Sequence, residues 1–251
     1  MVQKRALQIP KDALMDDIHP QSKTVTVRIG FYKVGRLQFI SHLDLQRAMK
    51  RMFLRSKLPI WFSEGFNPHP KMVFSTPLSI GVESECEFAD VKFTAPVTPE
   101  EVITRFNACS TDELQLFYAS PPVHKMTEVA WAAYEYTLHA PDLTKETAEA
   151  LKCLYKNPLV ITKKSKSGDK EADISPFIRD LALECVTDET GESVILLRAS
   201  LCADNANFLN PEYLMRAAES RGILSFADPL TSWYRILRTD LLLADGVTPF
   251  I

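Results

Sequence analysis

Phe66-Asn67-Pro68-His69-Pro70-Lys71 sets an amide, an imidazole and an ammonium on one short segment. Two prolines one residue apart fix φ and hold the backbone extended at little entropic cost. Asn67, His69 and Lys71 therefore project from a stiff support, which is how a chain presents donors to an anionic ligand. A proline-rich crossover that turns polar residues to water has the same composition, and residue types alone leave both readings open. Gly65 and Gly81 bracket the wider stretch Ser63–Ser84, and glycine permits positive φ or close backbone approach at each. The spacing fits neither G-x-x-x-x-G-K-[ST] nor G-x-G-x-x-G, so nucleotide hydrolysis by a P-loop is excluded.

A second group of reactive types begins at Ser41. Ser41 followed by Asp44 is a capping-box-like helix start, with Asp where Glu or Gln is usual. His42 then lies at a helix N-terminus, where the dipole disfavours its protonation. A neutral imidazole there, with His69 as acid and Lys71 beside it, has the groups needed to cleave RNA at a 2′-hydroxyl without metal. Packing of His42 over the first helical turn is the plainer alternative. Arg47, Arg51 and Arg55 follow at i, i+4 and i+8, with Asp44 the one acid on this helix. Guanidinium groups in a row suit phosphates, whereas a solvated helix face reads the same way. Lys163, Lys164, Lys166 and Lys170 make another basic run in a Ser/Gly setting that suits a hairpin tip.

No protein-only metal set is legible in the spacing. The five cysteines (Cys86, Cys109, Cys153, Cys185, Cys202) form no C-x-x-C pair, and the five histidines form no H-E-x-x-H. Dispersed thiols in odd number point to a reducing compartment, hence to the cytoplasm. The net charge of −3 over 251 residues hides a segregation. Gly35–Ser75 carries seven Lys/Arg against Asp44 and Glu64, and Glu83–Glu113 carries eight acids against Lys92 and Arg105. Binding of nucleic acid follows such local fields more than the total. No apolar run reaches the roughly 18–20 residues of a membrane span, so no membrane partner is expected. Residues 1–23 lack a signal-peptide pattern and read as an N-terminal arm.

The elements that must position these groups follow from periodicity. Val25, Val27, Ile29 and Phe31 alternate as a half-buried strand. A helix runs from Ser41 to about Lys57, with Leu45, Met49, Met52 and Phe53 on one face and the cations on the other; Pro59 stops it. "IWFS" reads as a short strand, residues 86–95 as a longer one, and Thr98-Pro99-Glu100-Glu101 as a capped helix start. Residues 113–120 form another strand. The order is β-α-β-β-α-β, the ferredoxin-like unit. It recurs over 129–251, where "PLVITKK" is read as its second strand and residues 177–202 as a hairpin about Gly191, giving an extra strand or hairpin. The predicted fold is thus α+β, two tandem ferredoxin-like domains at 24–122 and 129–251.

"F-x-S-H-x-D-L-x-R" at Phe39–Arg47, "S-x-G-F-N-P-H-P-K" at Ser63–Lys71 and "P-L-x-x-G-V-E-S" at Pro77–Ser84 carry a resemblance to the radical-SAM-linked protein family. Ser41, His42, Asp44, Gly65, Phe66, Pro68, Pro70, Gly81 and Glu83 are motif positions. The resemblance implies a bacterial cytoplasmic protein found beside, or fused to, a cobalamin-binding-type radical SAM protein. S-adenosylmethionine, the iron–sulfur cluster and cobalamin would then belong to that partner. This chain lacks the three-cysteine cluster motif.

The expectation is a non-catalytic accessory protein that recognises an RNA or ribonucleoprotein substrate for a radical SAM partner. Arg47, Arg51 and Lys71 would contact phosphates, and Asn67 and His69 would read a base or 2′-hydroxyl edge. A metal-independent endoribonuclease using His42 and His69, and a protein–protein adaptor docking to the radical SAM protein, are the alternatives. Ser63–Ser84 is expected to be an ordered crossover that buries several of Phe66, Met72, Val73, Phe74, Leu78 and Ile80. Asn67, His69 and Lys71 would then share one cleft with Arg47 or Arg51.

Overall fold

The computed structural model describes residues 24–141, 143–163, 168, 170–204 and 206–251. The expected arm at 1–23, together with Lys164 and Lys166 of the basic run, lies outside the described residues. The fold is α+β, with four α-helices and antiparallel sheet. Contacts divide the chain into two compact units, one up to Met126 and the other Thr127–Phe250.

The first unit runs β1 (Val25–Lys33), α1 (His42–Ser56), β2 (Met72–Phe74), β3 (Val82–Phe93), α2 (Pro99–Asn107) and β4 (Leu116–Ser120). β1 lies between β4 and β3, and β2 pairs with β3, all antiparallel. Alternation along β1 sends Val27, Ile29 and Phe31 into a core shared with Leu45, Met49 and Phe53 of α1 and Val102, Ile103 and Phe106 of α2. Phe53 is fully buried, and its ring meets Phe106 edge-on at 4.8 Å. The expected "IWFS" strand is reduced to two isolated bridges, Ile60 with Phe93 and Phe62 with Pro70. β3 starts earlier than its alternation suggests, because Val82–Ser84 are buried and pair onward from the crossover.

The second unit runs β5 (Trp131–His139), α3 (Lys145–Lys156), β6 (Val160–Lys163), β7 (Lys170–Asp173), β8 (Ile178–Thr187), β9 (Ser193–Cys202), α4 (Glu212–Ser220) and β10 (Trp233–Leu242). β5 lies between β10 and β9, and β8 pairs with β9. β6, the "PLVITKK" strand, pairs with β7 in a hairpin of its own. Of the expected extra strand or hairpin, the addition after α3 is a two-stranded hairpin, and β8 takes the place expected of β6 beside the third strand.

Candidate functional site

α1 starts where the sequence places it. Ser41 Oγ accepts from the Asp44 N–H at 3.1 Å and donates to Asp44 Oδ2 at 2.7 Å. The Ser41 hydroxyl, and then the Arg47 guanidinium at 3.0 Å, hold the Asp44 carboxyl below its usual range. The helix closes on Lys57 in the left-handed region (φ 56°), two residues before Pro59. Arg47 is thus paired with Asp44, an exposed i,i+3 contact of small energetic weight. Arg51 and Arg55 are exposed, as is Lys57, and Lys50 is half-buried. None of these four has an acidic partner among the described residues.

His42 sits in the first turn with its ring edge-on to Phe74 of β2, centroids 5.2 Å apart. Its Nε2 lies within hydrogen-bond distance, 2.9 Å, of the Gln46 side-chain amide nitrogen. That contact fixes which flank of α1 meets the crossover. At about 100° per residue, Arg47 and Arg51 stand about 140° and 180° around the helix from His42.

The loop that holds Asn67 and His69 closes on itself. Ser63 N donates to His69 O at 2.9 Å, His69 N donates to Ser63 Oγ at 3.1 Å, and Ser63 Oγ shares a 2.9 Å hydrogen bond with His69 Nδ1. Lys71 N donates to Trp61 O, and Lys71 O accepts from Lys92 N, which ties the base of the loop to β3. Gly65 takes φ +132° at the tip, where a side chain would be strained. Pro70 is buried at the base, while Asn67, Pro68, His69 and Lys71 are exposed.

One expectation about this stretch holds in part, since Met72, Phe74 and Leu78 are half-buried, and another finds no support. Phe66 is fully exposed, and Val73 and Ile80 are exposed as well; of the apolar set, Met72 and Phe74 pack on the core. The physical reason for Phe66 is position: it lies beyond the last cross-loop hydrogen bond, with no sheet beneath it. No direct contact supports the expected single cleft. Among the described residues no hydrogen bond, ion pair or ring contact links Asn67, His69 or Lys71 to Arg47 or Arg51, nor His42 to His69.

The far end of the stretch is clamped. Gly81, at φ +86°, donates its N–H to Gln38 O at 2.9 Å. Glu83, buried, accepts from Gly35 N at 2.5 Å, and Gln38 Nε2 bonds Gly35 O at 3.0 Å. The buried Lys33 Nζ also bonds Gln38 O, at 3.3 Å. Motif positions Gly81 and Glu83 thereby fix the 3-10 turn Gly35–Phe39 that leads into Ser41. Phe39, Leu43 and Ile80 are left exposed beside this clamp. Sequence reading missed Lys33 and Gln38, since strand alternation alone gives no sign that a lysine is buried; the exposed Phe39 and Leu43 flanking a polar Ser-His pair were the available signal.

A family model described as "Uncharacterized protein conserved in bacteria (DUF2344)" matches residues 26–211. The chain belongs to this family. The DUF2344 span takes in α1, the closed loop and the Gly81–Glu83 clamp; its description says nothing of a radical SAM protein. No curated protein matches the chain. Among solved structures it is similar to a chain of the "Crystal Structure of a Cbf5-Nop10-Gar1 Complex", at 10% identity and TM-score 0.42 over 84% of this chain and 48% of that one. This chain thus spans about half the length of that one. It is also similar to an unknown protein from Galdieria sulphuraria, at 11% identity and TM-score 0.24, over 86% of this chain and 98% of that chain. Likenesses at these TM-scores carry nothing further about fold or function. Among the described residues no helix is long and apolar enough to cross a membrane.

Proposed function

We propose that this protein is a non-catalytic accessory protein of the bacterial cytoplasm that holds RNA, free or in a ribonucleoprotein, for a radical SAM partner enzyme. The observation that carries the RNA reading is the row of cations on α1. Arg51, Arg55, Lys57 and Lys50 have no acid to neutralise them among the described residues, on a chain whose net charge is −3. Guanidinium groups on a rigid helix suit the phosphate backbone, which positions a nucleic acid without reading its sequence. Arg47, Arg51 and Lys71, together with the exposed Arg55, are assigned to phosphates, and Asn67 with His69, exposed on the closed loop, to base or 2′-hydroxyl edges. The radical SAM partner rests on the motif resemblance alone.

We also read each unit as ferredoxin-like. The strand order β4-β1-β3-β2 in the first unit and β10-β5-β9-β8 in the second supports this reading, with β6–β7 as an insertion. A fold of this kind does not specify a function.

A second reading, adaptor to a protein partner, is favoured by one observation: Phe39, Leu43 and Ile80 are large apolar side chains left in water next to the clamp. The nuclease alternative has no such support, because His42 is engaged by Phe74 and Gln46 and His69 by Ser63. Ultraviolet crosslinking in cells, followed by peptide mapping, tests the proposal. RNA crosslinked to peptides from residues 42–71 is the expected result. Absence of RNA, or crosslinks confined to other peptides, would overturn the RNA assignment and leave the adaptor reading.

A further inference from the structure

His139, Asp188 and Glu192 lie far apart in the sequence and belong to no motif discussed above. His139 ends β5, and Asp188 and Glu192 belong to the turn between β8 and β9. Pairing of His139 with Val194 in the β5–β9 ladder draws the imidazole against that turn. One ligand atom from each of the three side chains then lies within 4.8 Å of the other two. Tetrahedral donors bound to one ion at about 2.1 Å stand about 3.4 Å apart, so a pair at the 4.8 Å limit closes on an ion by about 1.4 Å of side-chain movement, within reach of the exposed Glu192 side chain.

The three donors are held and left free in the way ligands need. Asp188 Oδ1 accepts from Thr190 N, Thr190 Oγ1 and Glu192 N at 2.9, 2.6 and 3.0 Å, which fixes the carboxylate and leaves Oδ2 without a hydrogen-bond partner among the described residues. The His139 ring stacks on Trp233 at 3.9 Å with 15° between planes, and neither ring nitrogen has a hydrogen-bond partner among the described residues. The Glu192 side chain is exposed and has none either. No Lys or Arg among the described residues pairs with either carboxylate, so the His139 imidazole faces both of them. The cluster borders a cavity of about 460 Å³ lined also by Leu143, Ser193, Thr231 and Trp233, which gives room for water or a small ligand beside the donors.

We propose that His139, Asp188 and Glu192 form a site for a first-row divalent transition-metal ion of the Zn²⁺ class, open toward the Trp233 cavity. One imidazole nitrogen with two carboxylate oxygens selects such an ion over Mg²⁺ or Ca²⁺, which prefer all-oxygen sets. Three protein donors leave coordination positions for solvent or ligand, the pattern of an open rather than a closed site. The dispersed cysteines take no part, so the site is distinct from any thiolate binding.

The test is titration of the chelator-treated, dialysed full chain with Zn²⁺ by calorimetry, and with Co²⁺ by visible absorption. The expected result is one saturable equivalent, with a Co²⁺ spectrum free of thiolate charge-transfer absorption. His139→Ala and Glu192→Gln should each weaken binding by at least about tenfold, the lower bound for loss even of a residue that only supports a ligand. Glu192→Gln alters an exposed side chain with no hydrogen bond or ion pair among the described residues, so its effect stays interpretable if His139→Ala loosens the Trp233 stack. Failure to saturate, or affinity unchanged in Glu192→Gln, would overturn the site.

Discussion

Asp245 illustrates how single groups are tuned here by local donors rather than by burial. Its carboxylate accepts from Thr248 Oγ1 at 2.5 Å, Val247 N at 3.0 Å and Thr248 N at 2.9 Å. The Thr248 hydroxyl first, and then the two backbone N–H groups, pull its pKa from 3.8 to about 2. A folded value below the unfolded one adds stability above the unfolded carboxylate range, and that stability is lost as pH falls from about 4 toward about 2. Denaturant unfolding at a series of pH values should therefore show the wild-type chain losing stability across this window more steeply than Asp245→Asn. Equal acid sensitivity of the two would contradict the assignment. Asp44 follows the same logic at the start of α1, where the Ser41 hydroxyl and Arg47 favour its charged form.

At the scale of elements, α1 joins the stability of the first unit to its surface charge. Its start depends on Ser41, whose hydroxyl both accepts from Asp44 N and donates to the Asp44 carboxylate. Ser41→Ala should cost about 0.5–2 kcal/mol, the range for losing a serine cap, measured as a lower denaturation midpoint with unchanged slope; an unshifted midpoint would mean that the cap contributes nothing. α1 was legible because it is amphipathic, capped and stopped by proline, and each signal is local. The crossover was legible only in part. Counting apolar residues over Ser63–Ser84 says that several must be buried, but which ones depends on where the loop turns back, and Ser63–His69 pairing leaves Phe66 at the tip. β6 misled for a related reason: its composition fits a strand of the main sheet, while its partner is β7, a pairing that composition does not reveal. The His139, Asp188 and Glu192 group was illegible, since sheet register rather than spacing brings it together.

At the scale of the molecule, the chain is weakly acidic in sum and divided in detail. Cations collect on α1, and acids collect from Glu83 to Glu113. Any RNA held by α1 is therefore attracted locally by a chain that repels it overall, and the interaction must weaken steeply as salt rises. The most direct measurement is the salt dependence of affinity for an unstructured RNA oligomer, compared between the wild-type chain and Arg51→Glu with Arg55→Glu. Both positions are exposed, so the double variant should keep its melting temperature nearly unchanged. For single strands log K falls against log salt by about 0.7 per phosphate neutralised, so losing two contacts should make the slope shallower by about 1.4 and weaken binding at low salt. A wild-type slope near zero, or an unchanged slope in the folded double variant, would contradict the claim that the basic face of α1 holds RNA.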